Sequence, residues 1–491
     1  INAEVLRARP ERNQKMLQIE PERNKRTSEL KLKQELGLIS AVCLIAGTMV
    51  GSGIFMSPEW LLRYMGSPGG SLLIWAACGV IALLGALCYA ELGTIIKESG
   101  GEYIYILRLV GPVPAFVFAY TSVMVLRPAS TTILLSFAKY VAAPFYPGCS
   151  PPQIVIKCIA ASCILVLVTI NSLNVKLALS IQNVFTAAKL SALLTIVIGG
   201  LVLLVKGHTT VFQNAFQGTD TNFGSAGMAF YQGLWAYSGW NTLSNVTEEL
   251  KHPEVNFLRA ILIAVPLVTF LYLLVNVSYF TAMTPAEIIS GAAAVTWGNK
   301  VLGSWAWLMP LSVAVSTFGG VNASLFTGGR TCYVAAREGH MPEILSMIHV
   351  RHLTPSPAII YSSVISLIVI IPGNFGTLVN LCSFTGWLFH GLTLAGLLYT
   401  KNFKKVDFRR MLNEVTILIP IVLFIAAIGL MLAPVISSPR VEYLYVAIFV
   451  LSGVVVHAFF IHFKLCPGLL RKLTLFLQLL LEVSPTHKTE N

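Results

Sequence analysis

Two short stretches rich in glycine and polar residues interrupt long apolar segments and could bind a small charged molecule. The first, residues 47–55, reads GTMVGSGIF, and the second, residues 230–241, reads FYQGLWAYSGWN. Glycine destabilises a helix by about 1 kcal/mol relative to alanine. Unpaired backbone at membrane depth is tolerated only where it is buried in protein or lines a cavity. Both stretches therefore predict helices that break where free backbone N–H and C=O groups can bind a polar ligand.

The composition supports a membrane location for these breaks. Of the 491 residues, 55% are hydrophobic and only 11% are charged, against roughly 25% charged in a soluble domain. The net charge of +12 is expected where loops on one side of a membrane carry most of the Lys and Arg. Since no basic patch is interleaved with aromatic residues, no nucleic-acid binding is predicted.

The hydropathy pattern predicts an all-α polytopic membrane protein with twelve transmembrane helices. The predicted spans are 36–64, 71–96, 112–137, 154–170, 181–205, 224–246, 261–283, 301–327, 358–372, 378–399, 415–435 and 441–463. The two breaks fall in the first and sixth spans. Because five is an odd number, a second copy of a five-span unit must cross the membrane in the opposite sense to the first. The pattern therefore indicates a 5+5 inverted repeat followed by two extra spans.

This pattern divides the chain into five regions and orients them. They are an N-terminal tail (1–35), a first repeat (36–205), a second repeat (224–400), spans eleven and twelve (412–463), and a C-terminal amphipathic helix with a tail (464–491). Most Lys and Arg residues fall on the side of the N-terminal tail. The positive-inside rule therefore predicts that both termini are cytoplasmic.

Four groups of residues carry a resemblance to a known family. They are Gly51-Ser-Gly-Ile-Phe55, Ala90-Glu-Leu-Gly93, Trp235-Ala-Tyr-Ser-Gly-Trp240 with Val246-Thr-Glu-Glu249, and Ala336-Arg-Glu-Gly-His340. This ordered set resembles the light chains of heteromeric amino-acid transporters, in the amino acid, polyamine and organocation superfamily. It is similar in particular to the cystine and dibasic light chain and to the aromatic-preferring transporters.

The resemblance implies a substrate site at the two breaks. An amino acid is a zwitterion, so its carboxylate needs donors and its ammonium group needs acceptors. The first break would supply backbone N–H groups at the positive end of a half-helix, and the second would supply carbonyls, with Trp235 as a gate. The implied residues are Val50, Gly51, Ser52, Gly53, Ile54, Trp235, Ala236, Ser238 and Asn241. The alternative is that the glycines serve close helix packing and the aromatic residues only fill the core.

Lys189 is a cation inside the fifth predicted span, and such a placement is a functional hypothesis by default. In the family that this chain resembles, a lysine here stands in for the sodium ion that bridges the first and eighth spans of related transporters. The resemblance therefore implies sodium-independent transport. The alternative is a lysine that only snorkels or caps helix carbonyls.

The residues expected around the substrate side chain favour neutral substrates. Related dibasic transporters carry an aspartate where Ser238 stands, and anion-exchanging relatives carry an arginine where Gly386 stands. Glu91 is the only glutamate well inside a predicted span, and His390 has no obvious acidic partner, so His390 is expected to be a packing or interface residue. We therefore expect large neutral amino acids, with aromatic ones as candidates. A broader exchanger that also takes cystine or dibasic amino acids is the alternative.

Cys149 lies in the predicted external loop between the third and fourth spans, in an oxidising compartment. Its position matches the cysteine that, in the family, is bonded to a single-span heavy-chain glycoprotein. The resemblance thus implies an interchain disulfide, and an unpaired thiol is the alternative.

Together these features predict a plasma-membrane amino-acid exchanger that works by alternating access. The rival interpretation is a non-transporting amino-acid sensor or membrane scaffold on the same fold. The sequence contains no nucleotide motif, no metal constellation and no nucleophile beside a base. We therefore expect no enzymatic activity, no metal and no cofactor.

Overall fold

The computed structural model describes residues 36–459 and 467–485, except 97, 99, 127–128, 147–148, 150, 174, 291–292, 353, 372–374, 404–415, 438 and 440. The predicted N-terminal tail (1–35) lies outside the described residues. The predicted C-terminal amphipathic region is represented by one helix and one short strand.

The first half of the chain is helical throughout. Its elements are α1 (Leu38–Met49), α2 (Gly53–Met65), α3 (Pro68–Ile95), α4 (Glu102–Leu109), α5 (Pro112–Thr121), a π-helical turn (Ser122–Leu126), α6 (Ala129–Ala142), a 3₁₀ turn (Ala143–Phe145), α7 (Gln153–Leu173) and α8 (Val175–Val205).

The second half is also mainly helical. Its elements are α9 (Thr210–Gln213), α10 (Phe223–Ala236), a 3₁₀ segment (Thr242–Glu249), α11 (Pro253–Ala282), α12 (Pro285–Ile289), α13 (Ala293–Val301), 3₁₀ turns (Gly303–Trp305 and Glu343–Ser346), α14 (Leu308–Arg337), β1 (Met347–His349), α15 (Ser356–Ile370), α16 (Phe375–Phe403), α17 (Leu418–Ser437), α18 (Val441–His457), α19 (Pro467–Leu480) and β2 (Val483–Pro485).

The helices are long and apolar enough to make this a polytopic membrane protein. Within the described residues, seven helices could each cross a membrane, and the bent pair α1 and α2 could make an eighth span. Shorter apolar helices lie in the predicted third, ninth and twelfth spans. The polytopic helical class is confirmed, whereas the count of twelve spans, the inverted repeat and the division into five regions stay predictions.

The first predicted break is a real interruption. Helix α1 ends at Met49, α2 begins at Gly53, and the two axes are bent by 47°. Residues 50–52 between them have no regular helical assignment. The break therefore leaves backbone groups at the start of α2 that the helix itself does not satisfy.

The second predicted break is also an interruption. Helix α10 ends at Ala236, and the chain passes through a turn into the 3₁₀ segment. Gly239 has a φ of 111°, in a region that favours glycine because a side chain is strained there. The conformation at Gly239 thus directs the chain out of the helical path.

The helices pack as a bundle around the broken pair. Helix α11 packs against α1, α3 and α8, α10 packs against α2, and α14 packs against α6 and α8. Large apolar side chains on α17 and α18, such as Ile425 and Leu451, remain exposed, as expected for surfaces that face lipid. Strands β1 and β2 pair antiparallel and attach the C-terminal segment to the loop after α14.

Candidate functional site

The two breaks meet at a cavity of about 370 Å³. Most of the predicted substrate-binding residues line it: Gly51, Ser52, Gly53, Trp235, Ala236, Ser238 and Asn241. Val50 and Ile54 are fully buried and do not appear among the lining residues that the structure describes. Tertiary packing thus brings together two stretches that lie almost two hundred residues apart in sequence.

The backbone donors at the first break are those that begin α2. The prediction that Val50 supplies a free N–H is wrong, because this N–H donates to Ala46 O at 2.9 Å and closes the last turn of α1. Gly53 and Ile54 occupy the first turn of α2, where N–H groups have no intrahelical acceptor. The positive end of the helix dipole lies at the same place. The break therefore offers donors to an anionic group without a charged side chain.

Direct backbone contact fixes the distance between the two breaks. A Cβ atom at Gly53 would lie 2.3 Å from Ala236 Cα, so only glycine allows this approach. Tyr272 Oη lies within hydrogen-bond distance of Met49 O (2.7 Å) and Ala236 O (3.1 Å). Helix α11 thus holds the end of one half-helix against the end of the other.

Side chains at the second break give the cavity polar and aromatic surfaces. Trp235 is half-buried, and Ser238 is exposed, with Oγ 3.5 Å from Leu234 O. Gly386 also lines the cavity, and a Cβ atom there would have no atom within 4 Å. The two positions predicted to set substrate selectivity therefore both face the same space.

Lys189 is fully buried, and its Nζ donates to Gly47 O at 2.6 Å. This bond joins α8 to the last two turns of α1. One turn earlier on the same face of α8, the Phe185 ring packs edge-on against Phe318 of α14, with ring centroids 5.3 Å apart. Helix α8 therefore contacts both of the helices that correspond to the predicted first and eighth spans.

His390 corrects one expectation, and Glu102 is a lining residue that hydropathy did not predict. Glu102 lines the cavity although it lies outside every predicted span, and His390 does have an acidic partner: its Nδ1 is 2.9 Å from Glu102 Oε1. Hydropathy did not identify Glu102 as a lining residue, because Glu102 begins the short helix α4, which lies between two predicted spans. A signal was present in Gly100-Gly101-Glu102, where two glycines with positive φ turn the chain back.

Glu91, by contrast, forms an ion pair. Its Oε1 lies 2.8 Å from Lys401 Nζ, and the two side chains are 2% and 7% exposed. Neither residue is among the described residues that line the cavity. This carboxylate is therefore assigned to joining α3 and α16 rather than to the cavity.

The cavity extends toward the face that carries residue 36, which we call the tail side. Lys251 N donates to Leu36 O at 2.9 Å on that face. The segment from Ile95 to Glu102 follows the tail-side end of α3, and Gly100 and Glu102 line the cavity. The cavity therefore reaches from the breaks to the tail side.

Contacts between helices pack the opposite side. Tyr140 Oη donates to Phe55 O at 3.1 Å, and Arg63 donates to Ile289 O at 3.2 Å. Lys139 Nζ lies 4.0 Å from Glu59 Oε2. These contacts join α2 to α6 and to α12 on the half of the molecule opposite the tail side.

Cys149 is exposed in the segment between α6 and α7, and its thiol is not bonded to another described cysteine. Cys158, in the first turns of α7, is also exposed. An exposed thiol outside the helices is open to a partner chain.

A central cavity between two broken helices, in a polytopic helical membrane protein, defines the class of secondary transporters. The family model described as amino acid permease matches residues 36–459. The chain therefore belongs to the amino acid permease family and is a multi-pass membrane protein. This is a family of transporters and not of enzymes, and the resemblance stated from the motifs is confirmed.

Several relatives are similar over nearly the whole chain. The b(0,+)-type amino acid transporter 1 of Homo sapiens is 50% identical over 93% of this chain and 94% of its own length. The large neutral amino acids transporter small subunit 2 of Mus musculus is 43% identical over 87% and 81%. The cystine/glutamate transporter of Pongo abelii is 41% identical over 93% and 92%.

Proposed function

We propose that this protein is a sodium-independent exchanger of large neutral L-amino acids, with aromatic ones among its substrates. The observation that carries the proposal is the meeting of the two breaks in one cavity. Alternating access then requires the cavity to open on each side in turn. The helices of the breaks (α1, α2 and α10) with α3 and α11 would move against α5, α6, α7, α14 and α15.

Recognition of the zwitterion rests on backbone groups. The N–H groups of residues 51–54 would bind the carboxylate, and the carbonyls of Trp235, Ala236 and Ser238 would accept from the ammonium group. Asn241 completes the polar lining. Dipoles are suited to this role because a fixed counter-charge at membrane depth is expensive.

The gate and the side-chain pocket rest on aromatic and small residues. Trp235 would close over the bound substrate. Trp240, Trp387 and Phe118 also line the cavity and offer surfaces on which an aromatic side chain can stack. Ser238 and Gly386 bring neither a carboxylate nor a guanidinium group to the pocket.

Sodium independence is supported by the Lys189 ammonium group, which donates to Gly47 O. A tethered cation at this point can hold α1 in place as a bound metal ion would. No free ion then has to bind before the substrate.

A heavy-chain partner is proposed from Cys149 and from the relatives. One of them is named a small subunit, and Cys149 is exposed in a segment between helices. We assign this thiol to an interchain disulfide with a single-span heavy-chain glycoprotein. The charge asymmetry supports a plasma-membrane orientation with both termini in the cytoplasm.

The experiment is efflux of labelled tyrosine from sodium-free proteoliposomes, with tyrosine, leucine, arginine or no amino acid outside. Acceleration by tyrosine and leucine, and much less by arginine, is expected. Arginine acting as fast as tyrosine would reject the neutral preference. If no amino acid accelerates efflux from a folded preparation, the sensor or scaffold alternative is supported.

A further inference from the structure

The tail-side end of the cavity contains a buried carboxylate that the zwitterion site does not use. The Glu102 side chain is 9% exposed and lines the cavity. Of the described lining residues, Glu102 is the only carboxylate, and none is Lys or Arg. The tail-side half of the cavity therefore carries one carboxylate, with the His390 imidazole beside it and no Lys or Arg among the described lining residues.

Three side chains hold one oxygen of this carboxylate. Tyr89 Oη donates to Oε1 at 2.7 Å, His390 Nδ1 lies 2.9 Å from Oε1, and Thr393 Oγ1 lies 3.3 Å from it. Hydrogen bonds from several donors suit an ionised carboxylate, which only accepts. No hydrogen bond to the other oxygen, Oε2, occurs in the described part of the chain. One oxygen is thus positioned by the protein, and the other is open to a ligand.

The backbone places Glu102 beside the second break. Gly101 N donates to Ser244 O in the 3₁₀ segment at 3.2 Å, and Gly101 has a φ of 60°. A Cβ atom at Gly101 would lie 2.4 Å from Asn245 Oδ1, and the positive φ favours glycine at this position. Trp240 packs against the His390 ring with centroids 5.2 Å apart. The carboxylate is therefore built into the wall that follows the break.

We propose that Glu102 is a specificity-determining residue whose Oε2 binds the cationic side chain of an amino acid held at the two breaks. The inference rests on the proposed function, because it uses the same zwitterion site, and it adds a substrate class for the tail-side opening. The α-ammonium group would occupy the carbonyls of the second break. The group that Glu102 binds must then be a second positive charge, carried by the side chain of the substrate.

The proposal predicts a difference between the two faces of the membrane. Where the cavity opens to the tail side, lysine gains a contact that its neutral isostere norleucine lacks. A substrate entering from the opposite face meets Ser238 and the breaks first. Neutral amino acids are then preferred from that face, and cationic ones gain affinity from the tail side.

The test is competition binding to the purified full chain in detergent, where both faces are accessible. Labelled tyrosine is displaced by lysine or by norleucine in the unchanged protein, in Glu102→Gln and in Glu98→Gln. Glu98 is a matched control because it pairs with Arg108 at an exposed position and does not line the cavity. In Glu102→Gln, the lysine concentration for half-displacement should rise about tenfold or more, since a charged hydrogen bond is lost. The norleucine value and tyrosine affinity should change less than about threefold.

Three outcomes would overturn the inference: no displacement by lysine in the unchanged protein, an unchanged lysine value in Glu102→Gln, or equal weakening of lysine and norleucine. The last would assign Glu102 to the α-ammonium group or to folding. Thermal stabilisation by lysine alone separates this inference from the proposed function. If tyrosine does not bind but lysine stabilises the unchanged protein and not Glu102→Gln, the proposed function fails and the Glu102 site stands.

Discussion

The cavity offers two different kinds of polar group at its two ends. At the breaks, the available groups are backbone dipoles, and the glycines there allow two helix ends to touch. At the tail side, the carboxylate of Glu102 is held by side chains from α3 and α16. The first arrangement depends on the absence of a Cβ atom, and the second depends on one carboxylate.

This difference separates what every amino acid shares from what distinguishes one side chain from another. All substrates present the same carboxylate and ammonium group, so a rigid backbone site suits them. Substrate side chains differ in charge and size, so protein side chains in the pocket, which can be substituted one at a time, are suited to discriminate between substrates. Substitutions at the breaks should therefore affect all substrates, and substitutions in the pocket should change the ratio between substrates.

The largest effect is expected for Gly53→Ala. The added Cβ would lie 2.3 Å from Ala236 Cα, and backbone cannot give way as a flexible side chain can. A cost of about 3 kcal/mol corresponds to a loss of exchange of about 100-fold. Labelled tyrosine and leucine exchange should fall together. Gly429→Ala is the control, because its Cβ would meet no atom within 4 Å. If Gly53→Ala exchanged amino acids as fast as this control, direct contact between the two breaks would be rejected.

The next effect is expected for Lys189→Met, which removes the ammonium group from Gly47 O. Loss of a charged hydrogen bond of about 1.5–3 kcal/mol should lower exchange about tenfold or more. Thermal stability should fall little, since removing an ammonium group from water is itself unfavourable and offsets much of the hydrogen bond. Lys206→Met, at an exposed position just after α8, is the control. Equal losses of stability and exchange would indicate a purely structural lysine.

A smaller change, in selectivity, is expected for Ser238→Asp. The new carboxylate would face the cavity and could pair with a guanidinium group. The ratio of arginine to tyrosine uptake should rise about fivefold, since a partly desolvated pair contributes about 1 kcal/mol. Ser238→Asn, similar in size but uncharged, should not raise this ratio. A rise with both variants would show that size rather than charge changed the selectivity.

The smallest effect on transport is expected for Cys149→Ser, because this thiol is exposed and remote from the breaks. Exchange by the purified chain should change less than about twofold. In cells that make a heavy chain, the band of the disulfide-linked pair on a non-reducing gel should disappear. Cys158→Ser, also at an exposed cysteine, should keep the band. Persistence of the band in Cys149→Ser would assign the bond to another cysteine.

Much of this site could be predicted from local sequence. Glycine clusters inside apolar segments signalled both breaks, and the motif 51–55 led to the family. The exception at the first break was the N–H of Val50. This group is bonded to Ala46 O, and predicting that bond requires knowing at which residue α1 ends. Sequence patterns define such boundaries only to within a few residues.

The composition by itself determined a polytopic helical membrane protein, since apolar segments of this length must satisfy their backbone groups within helices. The glycine pattern determined where those helices break. Only the tertiary structure decided that Glu102 and His390 meet at the cavity, because α4 and α16 are almost three hundred residues apart and hydropathy carries no information on which loops fold inward. The backbone site followed from local rules, whereas the charged site depended on long-range packing.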